Sequence, residues 1–577
     1  MFQFNRPGLI DRSQVDQAPN RWDWALLPLI LGIVLAIALA ASGMARPFSI
    51  GSPTEISLSP TYLPYYLART TLRMLIAMTC SLLFTFGFAY VASKYRAAEK
   101  IMLPALDILQ SLPILGFQAI AVAPFIALFP GNLLGVECAA IFAIFTSQAW
   151  NMAFSLHQSL RTVPSELAEA ARIFRLSGWQ RFWRLELPYG MPGLLWNMMM
   201  SMSGGWFFIV AAEAISVANQ DIKLPGIGSY IAVAIEQTNI PAMGWAILAM
   251  VCGILLYDQL MFRPLLAWAD KFRFEESQSD TAQQSWMLDW LRRSNWVNRF
   301  TESMWHHGER SLSWFRRNYD GTSIRARQKP MDPRIERAWD AILAAGVMIA
   351  VYYLIHFIHS EVGWSEVVHV FSLGLATLTR VLLLMVGASL FWVPISVWVG
   401  LRPQWAQRVQ AWAQLIAAFP ANLVFPAAAI LILKWHLNPN IWLSPLIVFG
   451  TQWYIVFNVV GGASTIPTEL RYVADNFGLK GWLRWKRYLL PAVFPSFVTG
   501  MITASGGSWN ASIVAELVTW GDTKLQAYGV GAYIADMTAK GDFPRIALGM
   551  SVMSLFVIVM NRFVWHRLYR RAEEWAR

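Results

Sequence analysis

Apolar runs of about 20 residues recur along the chain, separated by short polar or basic segments, and ~20 apolar residues in helical form cross the hydrocarbon core of a bilayer. The first run covers 24–44, and others follow at 70–92, 102–129, 136–156, 194–217 and 242–262. The third is interrupted by Pro113 and Pro124. Segment 46–69, rich in Pro and Ser, reads as an external loop. The tight turn carrying Lys94, Arg96 and Lys100 reads as internal, because basic residues collect on the cytoplasmic side. Segment 218–241 is a non-membrane stretch between the fifth and sixth runs. From 264 to 337 the pattern changes, and Arg and Lys interleave with Trp286, Trp290, Trp296, Trp305 and Trp314. This is a cytoplasmic linker. Its Trp–Arg alternation from Trp286 to Arg317 predicts amphipathic helix on the inner leaflet or on a partner, against the plainer reading of a solvated connector.

Beyond the linker the pattern starts again at 338–358, and the second half repeats the first. Arg380 answers Arg73, Pro420 answers Pro113, Gln452 answers Gln148, Glu516 answers Glu213, and Gly529-Val530-Gly531 answers Gly226-Ile227-Gly228. Six spans per half is an even number, so the halves share one orientation and are related by an axis along the membrane normal, with a pathway between them. The expected fold is all-α and polytopic, with about 12 transmembrane helices. Its divisions are an N-terminal segment 1–23, a first half 24–263, a linker 264–337, a second half 338–566 and a tail 567–577. Both termini fall on the cytoplasmic side, and the first run, longer than the ~7–15 residues of a signal core, reads as a retained helix.

A basic loop between two spans, 164–192, reads PSELAEAARIFRLSGWQRFWRLELPYGMP. Ser165 as N-cap, Glu166 and Glu169 in the first turn and alanines in the middle predict a short helix over 165–174. The loop returns without a gap at 467–495, PTELRYVADNFGLKGWLRWKRYLLPAVFP, aligning Glu166 with Glu469, Ala171 with Ala474, Gly178 with Gly481, Trp179 with Trp482 and Pro188 with Pro491. An internal repeat of this kind governs the reading of the whole fold.

Both copies resemble the "EAA" loop of ABC importer permeases, in which a Glu-Ala-Ala triplet, a Gly and a later Leu-Pro keep fixed spacing. The first copy keeps the triplet as Glu169-Ala170-Ala171 but has Arg175 in place of the Gly. The second keeps Gly478 but has Tyr472-Val473-Ala474 for the triplet. The resemblance implies the type I importer permease fold and a coupling helix in each loop that docks in a groove of an ATP-hydrolysing subunit. Two such subunits would then sit beneath the chain, and a periplasmic binding protein would deliver substrate outside. LSGWQRFWRLELPYGMP, the Glu of VAAEAI and GIGSYI, answered by LKGWLRWKRYLLPAVFP, IVAELV and GVGAYI, resemble most the permeases for nitrate, sulfonate, taurine and bicarbonate. That likeness covers about 70–262 and 377–565 and implies a small anion as cargo and the bacterial inner membrane as location.

Composition narrows the picture further. The 577 residues are 56% hydrophobic and 14% charged, with mean hydropathy +0.42, too apolar for a soluble protein. The 29 Trp suit interfacial belts facing membrane lipids. The net charge of +11 sits in inner loops rather than on a nucleic-acid face. Cys80, Cys138 and Cys252 lie unpaired in apolar runs and read as small core residues, and His306-His307 lack a third metal ligand at usable spacing. No phosphate-cradling G-x-x-x-x-G-K-[ST] motif occurs, so ATP and its Mg²⁺ belong to a separate chain, and no catalytic constellation is visible.

Charged groups inside spans are functional candidates. Glu213 and Glu516 read as structural or gating groups accepting hydrogen bonds from the Gly-rich stretch, with substrate contact the alternative. Arg73 and Arg380 either attract an oxyanion toward the axis or snorkel to the outer interface. Gln148, Asn151, Gln452 and Asn458 offer helix–helix hydrogen bonds or ligand donors. Trp206 and Trp509 either narrow the pathway or pack. The rivals to an ATP-driven importer of anions are an importer of uncharged organic solutes, an ion-gradient transporter, an exporter and a membrane enzyme. The repeated loop opposes the ion-gradient transporter and the exporter, and the membrane enzyme lacks any convergent set of acid, base or metal ligands.

Overall fold

The computed structural model describes residues 20–48, 55–111, 114–174, 176–217, 220–269, 285–297, 333–464 and 468–565, with isolated positions beside them. The first half comprises α1 (Arg21–Ser42), α2 (Leu63–Lys94), α3 (Arg96–Ser111), α4 (Ile114–Leu128), α5 (Leu134–Arg161), the short α6 (Ser165–Ile173) and the long α7 (Gly178–Glu213). A hairpin of β1 (Ala214–Val217) and β2 (Gln220–Lys223) follows, then α8 (Ile227–Glu236) and α9 (Ile240–Ala269). A linker helix α10 (Trp286–Arg293) precedes the second half. That half contains α11 (Pro333–His359), α12 (Trp364–Gly400), α13 (Pro403–Ala418), α14 (Phe425–Lys434), α15 (Pro439–Ser464), the short α16 (Thr468–Asn476) and α17 (Gly481–Ala515). It closes with β3 (Leu517–Trp520), β4 (Thr523–Gln526), α18 (Val530–Lys540) and α19 (Phe543–Trp565).

Ten helices among the described residues are long and apolar enough to cross a membrane. The third run of the second half is instead divided, into α13 and α14 around a 3₁₀ turn at Ala421–Val424; that of the first half is described as α3 and α4, with 112–113 outside the described residues. Pro420 is the N-cap of that turn, and a proline both lacks an N–H and pushes the residue before it out of the helical region. Pro124, expected to interrupt the third run as well, stays inside α4, as prolines in membrane helices can. The first helix starts at Arg21, where Asn20 caps it reciprocally with Asp23. Helix α9 continues to Ala269 and α11 begins at Pro333, so helix extends past both expected linker boundaries.

The repeat is visible down to irregular features. π-turns interrupt α7 at Phe182–Glu186 and α17 at Trp485–Leu489, and further π-turns recur at Asp258–Phe262 within α9 and at Asn561–Trp565 in α19. Asn239 and Asp542 cap α9 and α19 in the same way. Both hairpins are antiparallel, pairing Ala214 with Lys223 and Leu517 with Gln526. Gly521 turns the second at φ 57°, a value suited to glycine. Loops α6 and α16 lie at the opposite ends of α7 and α17 from these hairpins. Those ends are called the loop side and the hairpin side below.

Each half has its own apolar core, and the two meet along one face. Leu423 and Phe457 join the first core, while Phe207 packs on the second. The rings of Trp196 and Phe457 stack at 4.8 Å across the halves. Ile114 N donates to Asn510 Oδ1 at 2.7 Å, and the Gly521 N–H donates to Ile235 O at 3.4 Å. On the loop side Lys100 pairs with Asp340 at 3.1 Å.

The described linker residues pack on the chain's own first helix. Ser294 Oγ and Trp296 N donate to Asp23 Oδ1 at 2.5 and 3.1 Å, and Trp22 meets Trp290 at 5.7 Å. Trp286 Nε1 donates to Gln259 Oε1 at 3.0 Å. The Trp–Arg alternation thus serves, at least over 285–297, an intramolecular aromatic collar. Residues 304–332, with His306, His307 and Arg317, lie outside the described residues.

Candidate functional site

At the hairpin end of α7 the Glu213 carboxylate is fully buried and fully occupied. Its Oε1 accepts from Thr70 Oγ1 at 2.7 Å and from Arg73 Nη1 at 2.6 Å, and its Oε2 accepts from Gly228 N at 2.7 Å. Thr70 Oγ1 in turn accepts from Ile227 N at 3.0 Å. Arg73 also grips Glu137 through Nε at 2.5 Å and Nη2 at 2.8 Å, and Nη2 reaches Pro225 O at 2.9 Å. Arg69 completes the set by donating to Glu137 and, at 3.1 Å, to the Tyr65 hydroxyl. Two guanidinium and two carboxylate groups are therefore enclosed together with no net charge. Burial of unpaired charge would be far more costly. The result is a lock that ties α2, α5, α7 and the loop before α8 at one point.

The second half carries the same lock in reduced form. Glu516 Oε1 accepts from Thr377 Oγ1 at 2.8 Å and Arg380 Nη1 at 2.9 Å, and Oε2 accepts from Gly531 N at 2.8 Å. Val530 N donates to Thr377 Oγ1 at 3.0 Å. Here Arg380 is 14% exposed, and its other contact is the neutral Asn440 Oδ1 at 3.4 Å. Ala376 stands four residues before Arg380, as Arg69 stands before Arg73. Ile441 stands eleven before Gln452, as Glu137 stands before Gln148. The inner salt bridges of the first lock thus have no second copy. Glycine is required beside each carboxylate, since a Cβ on Gly226 or Gly529 would overlap the carboxylate of Glu213 or Glu516. Gly226→Ala and Gly529→Ala are expected to cost about 1–3 kcal/mol by overpacking. Gly87→Ala and Gly244→Ala, where a Cβ meets nothing within 4 Å, should be silent in the same thermal-unfolding assay.

At the loop side, α6 and α16 are both exposed helices held by one buried alanine, Ala171 and Ala474. Leu176 N donates to Ala171 O at 3.1 Å and Leu479 N to Ala474 O at 3.0 Å, so both loops close alike. Ser165, expected as N-cap, is the first residue within α6. Pro164 is its N-cap and supplies no side-chain bond. Glu166, Glu169 and Glu469 are exposed, and Ala170 is half-buried. Gly478 adopts φ 62° after α16, the left-handed helix stop. Arg175, which faces it in the alignment, lies outside the described residues. Gly178 is buried behind a capping box made by Ser177 and Gln180, whereas Gly481, at φ 53°, is exposed behind Lys480, which makes no cap. Pro188 and Pro491 stand in the first helical turn beyond the π-turns, where the missing N–H costs little. Trp179 is packed against Tyr90 at 5.5 Å, while Trp482 is 79% exposed.

Residues 81–262 and 370–571 both match the family model described as "Binding-protein-dependent transport system inner membrane component". The chain belongs to that family, twice over. Among relatives, it is 28% identical over 34% of its length to the trimethylamine N-oxide transport system permease protein of Pelagibacter ubique, covering 25% of that protein. It is 30% identical over 20% of its length to the nitrate import permease protein of Leptolyngbya laminosa, covering 40% of it. With the bicarbonate transport system permease protein of Synechococcus elongatus it shares 26% identity over 33% of the chain and 65% of the relative. The chain therefore spans less than two thirds of each of these relatives.

In this tandem family member the other candidate residues sit as follows. Arg73 neither faces an axis nor snorkels, because both readings need an accessible guanidinium and this one is enclosed by carboxylates. Trp206 and Trp509 are buried in the two cores rather than narrowing an open channel. Gln148 is fully buried beside Met202 Sδ at 3.6 Å, and Asn151 accepts from Gln110 Nε2 at 3.1 Å. Gln452 accepts from Trp392 Nε1 at 2.9 Å, and Asn458 Nδ2 donates to Tyr454 O at 2.8 Å. Cys80 and Cys252 are exposed on the outside of the bundle rather than in the core. Among the described residues no group of His, Cys, Asp or Glu is placed to hold a metal.

Proposed function

We propose that this chain is the membrane permease of an ATP-driven importer in a bacterial inner membrane, with both coupling loops and both termini cytoplasmic. It forms the pathway for a small anion of nitrate, sulfonate, taurine or bicarbonate type. It couples to two separate ATPase subunits through α6 and α16, and a periplasmic binding protein delivers the solute on the hairpin side. The observation that carries this reading is that each exposed loop helix leads directly into the helix whose far end is locked by Glu213 or Glu516. Helix α7 has 36 residues, roughly 54 Å at 1.5 Å per residue. A push on α6 therefore reaches the hairpin side through one continuous rod, and ATP on the partner subunits supplies the push.

A second reading, an uncharged or zwitterionic organic solute, is favoured by the enclosure of Arg73, which leaves the first half without that cation as an anion attractor. Uptake into proteoliposomes holding the chain and its ATPase partners decides between them. Nitrate and bicarbonate should enter only when ATP is enclosed with the ATPase, and ATP-dependent entry of only the zwitterions taurine or trimethylamine N-oxide would favour the second reading. Uptake driven by an ion gradient without ATP would contradict both.

A further inference from the structure

The face where α7 meets the second half carries a glycine in its middle. Toward the loop side it is closed by the Trp196–Phe457 stack. Toward the hairpin side Asn422 Nδ2 donates to Phe207 O at 3.5 Å. Between these lies Gly204, with no side chain. The residue opposite is Tyr454 of α15, whose ring lies beside Gly507 of α17 and whose hydroxyl lies 3.5 Å from where a Gly204 Cβ would stand. Tyr454 thus wedges between the fifth-span helices of the two halves. Its hydroxyl makes no hydrogen bond in the described structure. Trp509 Nε1 and Asn422 Oδ1 are also unpartnered but fully buried, whereas Tyr454 is half-buried. A tyrosine hydroxyl left without a partner inside an apolar bundle is a group awaiting one. The repeat does not duplicate it. Trp150, two residues after Gln148 as Tyr454 is two after Gln452, is turned into its own half, edge-on to Phe84 at 5.5 Å.

We propose that Tyr454 is the solute-contacting residue of the pathway, its hydroxyl, which faces Gly204 across the meeting of the halves, donating a hydrogen bond to an acceptor oxygen of the transported molecule when the halves part. This rests on the permease reading above. A neutral donor suits an oxygen of a nitrate, sulfonate, bicarbonate or N-oxide group alike, and it holds the solute without the tight grip of a fixed cation, so release remains easy. Contact is made from the second half only, so the pathway is asymmetric despite the duplication.

The test uses the complete transporter in proteoliposomes with nitrate, bicarbonate, taurine and trimethylamine N-oxide as probes. Tyr454→Phe keeps the ring and removes the donor, and it should raise the uptake KM of an accepted solute about fivefold, the worth of one neutral hydrogen bond. Trp150→Phe should leave KM unchanged. A second arm needs no solute. With Cys80, Cys138 and Cys252 replaced by Ser, Tyr454→Cys should react with a small anionic methanethiosulfonate at least tenfold faster than Trp150→Cys. An unchanged KM in Tyr454→Phe beside normal uptake by the unaltered chain would overturn the assignment and leave the importer standing. Equal labelling rates would likewise overturn it. Failure of the unaltered chain to take up any probe, with fast labelling at 454, would count against the importer reading while retaining Tyr454 as a pathway-lining residue.

Discussion

Glu137→Ala is expected to lower unfolding free energy by about 3–5 kcal/mol, the cost of removing one partner from a buried ion pair. Among the described residues Glu137 is the sole carboxylate partner of Arg69 and one of two for Arg73, and both guanidinium groups are fully buried. Its loss leaves one net positive charge in the core of the first half with no route to water. Glu516→Ala should cost distinctly less, because Arg380 can turn toward solvent through its partial exposure. Replacing both Arg69 and Glu137 by Met and Leu should recover much of the loss, since that removes the unpaired charge rather than creating it. Thermal unfolding in detergent, read by loss of monodispersity, gives the order. A Glu516→Ala protein less stable than Glu137→Ala would contradict the unequal-lock description.

The second large effect concerns the loops. Phe174 is 56% exposed and Phe477 is 78% exposed, at matched positions just past α6 and α16. Large aromatic side chains exposed at the same place in both copies fit anchors for a partner groove. Phe174→Ser with Phe477→Ser should reduce ATP-driven uptake at least tenfold through lost ATPase docking, with the melting temperature of the isolated chain unchanged. The single substitutions need not be equal. Trp482 adds exposed apolar surface to the second loop, whereas Trp179 is folded back on Tyr90. Full uptake by the double variant would place the coupling contacts elsewhere.

Much of this architecture is legible in the sequence because the repeat makes it so. A Glu inside a span that recurs with the same Gly-x-Gly behind it, as Glu213 and Glu516 do, advertises itself by its duplication. The same comparison conceals Arg69 and Glu137, which face Ala376 and Ile441 in the other copy. Only the default suspicion of charges in apolar runs could have found them. Arg73 shows why pairing was not readable, since its two carboxylate partners lie 64 and 140 residues away and come together only through the packing of α2 against α5 and α7. The linker was misleading for a related reason. Alternating Trp and Arg fit a lipid surface, a partner, or the chain's own first helix, and periodicity does not distinguish them. Over 285–297 the tryptophans at 22 and 24 supply the third answer. Tyr454 carried no motif at all, and its interest comes from the glycine it faces on another helix, Gly204.

On the proposed reading, the two exposed loops of one chain hold two separate ATPase subunits. The most direct measurement is native mass spectrometry of the tagged chain purified from its own membrane. A complex holding two ATPase subunits per chain, retained through washing, is the predicted result. A chain that emerges alone, and that moves solute down an ion gradient without ATP, would contradict it.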